Sequence, residues 1–197
     1  MANADSDSPA HVVELADACV RYVEQALELK LDYTQDTLPI LDHYLRTAAQ
    51  DPRPEIEALL APTAGAYFGE LVRRIWPHAQ WHAPGEDYAH YRIEFRGFFL
   101  HFNPVGLARE VVDAEDAPGW NGHFAMFDDA RTLVESSLTD KLSMRDGDYY
   151  SLSVRYETLE QTADVLEALA VQGPKPRPTF GADVYASALG QAPSADN

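Results

Sequence analysis

With 197 residues, 46% of them hydrophobic and 11% aromatic, the chain holds enough apolar material for one packed core, which excludes general disorder. Thirty-two acidic against fifteen basic residues leave a formal charge of −17, a surface that repels phosphate backbones and anionic headgroups and so argues against nucleic acid or a membrane surface as partner. No apolar run reaches the about 20 residues that span a bilayer, and the lone Cys19 excludes an internal disulfide and a zinc site built on paired cysteines.

The first residues, Met1 to Asp7, carry acid where a signal peptide needs positive charge, so the chain reads as unsecreted and cytoplasmic. Residues 1–8 are small and polar and are expected to be disordered. Ser8 and Pro9 suit a helix start as cap and first residue. Val12, Leu15, Ala16, Cys19, Val23, Ala26 and Leu27 then recur at helical spacing opposite Glu14, Asp17, Arg21, Glu24 and Glu28, an amphipathic helix over about residues 9–30. Cys19 falls on its apolar face, as a small core thiol would.

Asp32 to Gln35 offers caps for a second helix running to about Gln50. Ile56, Leu59 and Leu60 make a short apolar face that Pro62 is expected to interrupt, with Thr63 capping a fresh helix over 63–76. Within it, Gly65 and Gly69 share one face and predict a close approach by a neighbouring element.

The period then changes to alternation. Tyr91, Ile93 and Phe95 alternate with His90, Arg92, Glu94 and Arg96, giving a strand at about 89–96, and 98–103 gives a second, with Trp81 and His82 in an earlier short one. Arg96-Gly97 fits either a tight hairpin or a bulge. A brief helix at 105–112, a loop, and a helix started by Asp128 or Asp129 follow, and Asp146-Gly147 marks a turn. Tyr150, Leu152, Val154 and Tyr156 alternate with polar neighbours, predicting a third strand at about 148–156, after which Thr158 caps a helix to about 171. The run Gly173 to Pro178 reads as an extended linker, with Phe180, Val184, Tyr185 and Leu189 free to dock back as a short helix. The sum is an α+β fold, a small antiparallel sheet packed against several amphipathic helices. Its single domain runs over 9–172, with a linker and tail over 173–197.

The segment Gly65-Ala66-Tyr67-Phe68-Gly69-Glu70, with Arg73-Arg74, Trp81 and the hairpin from Tyr91 to Phe102 behind it, resembles a segment of small uncharacterised bacterial domains. In those, a Gly-Ala-Tyr-Leu-Gly-Glu-like helix precedes paired basic residues and a tryptophan, and some members look like immunity proteins of toxin systems. The resemblance covers about residues 31–105 and implies an α+β fold, with no reaction and no catalytic residue.

Three groups of residues stand out as candidate sites. His78, His82, His90 and His101 crowd together, and His90 and His101 would be cross-strand neighbours in a suitable register. An enzyme or ligand-binding domain would use them, yet no HExxH or other fixed ligand spacing occurs, so no metal and no cofactor is expected. His90, Arg92, Arg96, His101, Tyr149 and Arg155 would form a basic, aromatic patch on the polar face of the sheet, suited to an acidic peptide or small anion unless its arginines pair with acids such as Glu94. Glu14, Asp17, Glu24, Glu28, Asp36 and Asp42 would face water on the first two helices, where a basic protein partner would relieve their mutual repulsion. No nucleophile elbow or other hydrolase motif occurs, and the leading expectation is a non-enzymatic protein-binding protein, in its sharpest form an immunity protein.

Overall fold

The computed structural model describes residues 8–51, 53–139, 149–173 and 175–190. Expectations for residues 1–7, for the Asp146-Gly147 turn and for the tail from Gln191 lie outside them. The described chain is α+β. Helices α1 (Ala10–Leu27), α2 (Leu38–Ala48) and α3 (Pro54–Ile75) precede strands β1 (Ala79–His82), β2 (Arg92–Phe95) and β3 (Leu100–Phe102). Then come α4 (Pro104–Asp113), β4 (Ala125–Met126), α5 (Asp128–Thr139), α6 (Leu152–Gln172) and α7 (Ala182–Ala188).

Helix α3 is the centre. From Leu60 to Val72 every residue is buried, because α1 and α4 pack along it and the sheet lies across it. Small residues make this possible. A Cβ on Gly65 would sit 2.5 Å from the Val105 Cα of α4, and one on Gly69 would sit 2.2 Å from the Trp81 ring of β1. The expected close approach at this glycine pair is present on two sides at once.

The expected break at Pro62 is not. Pro62 lies inside a continuous helix, although it has no N–H to give the Ala58 carbonyl. Burial all round the following residues outweighs that loss, and the Thr63 hydroxyl donates back to the Leu59 carbonyl at 2.7 Å instead of capping a new helix. At the start of α1, Pro9 takes the cap position, and Ser8 is buried with its hydroxyl on Glu70 of α3.

The sheet is an antiparallel meander, β1-β2-β3-β4. Ile93 lies opposite Trp81 on one side and Phe102 on the other, so these three share the face that packs on α3, where the Phe68 and Phe102 rings meet edge to face. Tyr91, Ile93, Phe95 and Leu152 are all buried, while Val154 is half-buried. The strands are shorter than their sequence limits: residues 88–90 form a 3-10 turn, and 96–99 make a four-residue connection that is neither a tight turn nor a bulge.

The third expected strand, at 148–156, is the largest correction: its residues from Leu152 onward begin α6. Ser151 accepts from the Val154 N–H, while Asp42 of α2 accepts the Leu152 N–H at 2.6 Å, the Ser153 N–H at 3.1 Å and the Ser153 hydroxyl. Leu152, Arg155, Tyr156, Leu159, Ala163 and Leu166 then form the buried stripe. Thr158 is an interior residue bonded to the Val154 carbonyl, not a cap. Helix α7 docks as a short final helix with Tyr185 fully buried.

Candidate functional site

The acids of α1 form one stripe because they recur by threes and fours: Glu14, Asp17 and Glu24, with Arg21 between them and Glu28 at the left-handed residue that ends the helix. All four carboxylates are exposed, as is Asp36 in the 3-10 turn before α2. Among the described residues none of the five makes an ion pair; Asp17 accepts only the Tyr33 hydroxyl, at 3.3 Å. Tyr33 in turn carries the Arg74 guanidinium 3.5 Å above its ring. Asp42, expected on this face, is absent from it. It is 2% exposed and turned inward to the start of α6.

The basic patch expected on the sheet does not assemble, because the two halves belong to different layers. On the polar face of the sheet, His82 lies opposite Arg92, and Glu94 opposite His101. That face is covered, with Arg92, Glu94 and His101 at 5%, 1% and 8% exposure. Arg92 Nε donates to Glu94 Oε1 at 2.6 Å, as the pairing with local acid anticipated. Tyr185 of α7 stands edge-on to the His101 ring with centroids 5.7 Å apart. Burial, and after it the Arg92 charge, pushes the His101 imidazole down to about 4 and lowers His82 as well. His90 sits elsewhere, exposed in the 3-10 turn with Nδ1 2.9 Å from Asp87, and is no cross-strand neighbour of His101. Arg96 is exposed beyond the end of β2.

Tyr149 and Arg155 lie apart from the sheet, at the start of α6. Arg155 donates to Glu110 of α4 at 2.8 Å and to the Tyr149 hydroxyl at 3.1 Å, with its guanidinium 4.0 Å from the Tyr149 ring centroid. These three line a cleft of about 350 Å³ with Asp116 and His123. Its far wall is the loop through Gly122, which lies against the first turn of α4: a Cβ on Gly122 would come within 2.9 Å of the Leu107 nitrogen. Burial raises the Glu110 carboxyl above its ordinary value, with Arg155 acting against it. Glu110 carried no sequence signal, since its partner is 45 residues away. The arrangement is a desolvated ion pair tying two helices together at the back of an open cleft.

The four clustered histidines do not converge: His78 is exposed beside Phe95 and Phe98, His82 is half-buried on β1, His90 is in the turn and His101 on β3. Among the described residues no three histidine, cysteine, aspartate or glutamate side chains are placed to hold a metal ion. Burial pushes the Cys19 thiol up, which keeps it from acting as a nucleophile. Among the described residues no helix is long and apolar enough to cross a membrane. Comparison with family models, with curated proteins and with solved structures returned no match.

Proposed function

We propose that this protein acts without catalysis, by binding a basic protein on the α1 side of the molecule, and that an immunity role, the neutralising of a toxin, is the sharpest form of that reading. The observation that supports it is the stripe of Glu14, Asp17 and Glu24, with Glu28 and Asp36 beyond it, exposed and without ion pairs among the described residues. Like charges three and four apart on a helix each cost a few tenths of a kcal/mol, a cost that a basic surface would remove. The likeness of residues 31–105 to small bacterial domains with immunity-like members points the same way. The rival, an enzyme or ligand-binding domain built on His78, His82, His90 and His101, has less support because those imidazoles lie apart.

The test is kinetic. A photo-reactive residue in place of Glu24 identifies the partner, and its association rate is followed against ionic strength. The rate is expected to fall about tenfold as salt shortens the Debye length from about 10 Å to a few Å. Replacing Glu24, Glu28 and Asp36 by glutamine or asparagine should remove most of that dependence. A rate indifferent to both salt and the triple substitution ends the reading.

A further inference from the structure

A hollow of about 400 Å³ opens where α3 and α4 meet, within the size range of small-molecule sites, and it takes no residue from α1. Ala61 and Val105, both buried, form its floor, and the half-buried rings of Tyr88 and Trp120 stand in its walls. Both rings are held in place by their own backbone. The buried Asn103 amide donates to the Tyr88 carbonyl at 2.9 Å, fixing the 3-10 turn that carries that ring. Trp120 is pressed against α4, so that a Cβ on Gly106 would sit 2.4 Å from the Trp120 carbonyl oxygen.

The charged groups in the lining are two carboxylates and one arginine, and the arginine is already in use. Arg109 Nε lies 3.2 Å from Asp113, and its guanidinium lies 5.2 Å from the Trp120 ring centroid. Glu57, the other carboxylate, is exposed and makes no ion pair among the described residues. Ala58 and Pro62 line the same wall, so the Ala58 carbonyl, which Pro62 leaves without its helical donor, belongs to this site. Gly65 meets Val105 at the start of α4, while Pro54 and Asp113 share the hollow, so the two helices run antiparallel. Their dipoles oppose each other here, and the side chains set the charge.

From this geometry we infer that the hollow binds a small primary amine with a flat apolar body. An ammonium group brings a positive charge and three N–H donors, which the unpaired Glu57 carboxylate and the Ala58 carbonyl accept. The flat body covers Tyr88, Trp120 and the apolar floor. An anion would meet Glu57, with the one arginine already neutralised by Asp113, and a neutral molecule would leave the Glu57 charge unanswered. The inference stands apart from the protein-binding reading, whose residues lie on α1 and in the turn before α2.

The test holds the ring constant and changes the charge. Tryptamine, its neutral alcohol counterpart tryptophol and the anion indole-3-acetate are titrated into the full chain. Binding is followed by the NMR signal of the Trp120 indole N–H, assigned by its loss in Trp120→Phe. Tryptamine is expected to bind at least about tenfold more tightly than tryptophol, that is by about 1.4 kcal/mol, and indole-3-acetate more weakly than either. Glu57→Gln should bring tryptamine to the level of tryptophol without moving the melting temperature. Ala58→Arg, at an exposed position, sets a cation in the hollow and should abolish tryptamine binding; either variant suffices if the other misfolds. Glu24→Gln removes the same charge from outside the hollow and should leave tryptamine binding unchanged. Equal binding of the three probes, or no shift of the Trp120 signal with tryptamine, overturns the inference. So does a loss with Glu24→Gln as large as with Glu57→Gln, which would show attraction to the net charge of −17 alone. None of these outcomes decides the α1 reading, which stands or falls on the association rate of its own partner.

Discussion

Asp42 on α2 accepts the Leu152 N–H at 2.6 Å across 110 residues of chain, so the first turn of α6 is capped by a side chain from another helix. The same carboxylate takes the Ser153 N–H and hydroxyl, and these bonds lower its proton affinity against the burial that raises it. Asp42→Ala should therefore cost about 2–4 kcal/mol, since it strands buried N–H groups. Asp42→Asn, which keeps one acceptor oxygen, should cost less. Urea unfolding measures both, and equal losses would show that one amide oxygen cannot replace the carboxylate at all.

The close approach at Gly65 sets a second expectation. A methyl group there meets the Val105 backbone at 2.5 Å, and backbone on α4 has no rotamer to yield with. Gly65→Ala should destabilise by about 2–3 kcal/mol. At Gly97 the nearest atoms are 3.5 Å or more away and belong to the His78 and Glu167 side chains, so Gly97→Ala should stay within about 0.5 kcal/mol of the parent. Thermal melts of the two variants side by side check this.

Arg155 and Glu110 form an ion pair with side chains 9% and 11% exposed. Arg155→Ala or Glu110→Ala alone should cost about 3–5 kcal/mol, because each leaves its partner buried without a counter-charge. Arg155→Met with Glu110→Leu should cost less than either alone. A double-mutant cycle from denaturant curves decides it; simply additive losses would show that the two groups act independently.

His101 gives the protein an acid-sensitive window. Its imidazole is held neutral down to about 4 in the fold, while in the unfolded chain it takes a proton near the ordinary value of about 6.5. The unfolded state therefore binds more protons between those values, and stability present above about pH 6.5 is lost as pH falls toward about 4, by at most roughly 3 kcal/mol. His101→Gln should flatten the stability curve in that interval while leaving the loss below pH 4, due to carboxylates, in place. An unchanged slope between pH 6 and 4.5 would assign the sensitivity elsewhere.

What the sequence disclosed and what it hid follow one physical line. Helix α1 and the hairpin were legible because a period repeated within a dozen residues records which face is buried. The Gly65–Gly69 pair was legible because only missing side chains allow such contact. The start of α6 was not: Tyr150, Leu152, Val154 and Tyr156 alternate over a window too short to separate two from 3.6, and Asp42, which decides it, is remote. Pro62 misled because local propensity cannot register that the residues after it are buried on every side. Of the candidate site, the α1 acids were readable as a solvent face by the same helical period. The sheet patch was not. Alternation groups Arg92, Glu94 and His101 on one face, but whether that face meets water depends on Tyr185, about 85 residues later.

That tyrosine has a further consequence for how the molecule is made. Its hydroxyl donates to the Phe95 carbonyl at 2.6 Å and accepts the Leu100 N–H at 3.2 Å, bridging the two ends of the 96–99 connection where the strands themselves do not join. During synthesis, β2 and β3 leave the ribosome well before residue 185 exists. At about 5–20 residues per second they wait on the order of 4–20 s with those peptide groups open to water. The hairpin is thus born unfinished, and the late-arriving α7 is the clasp that closes it.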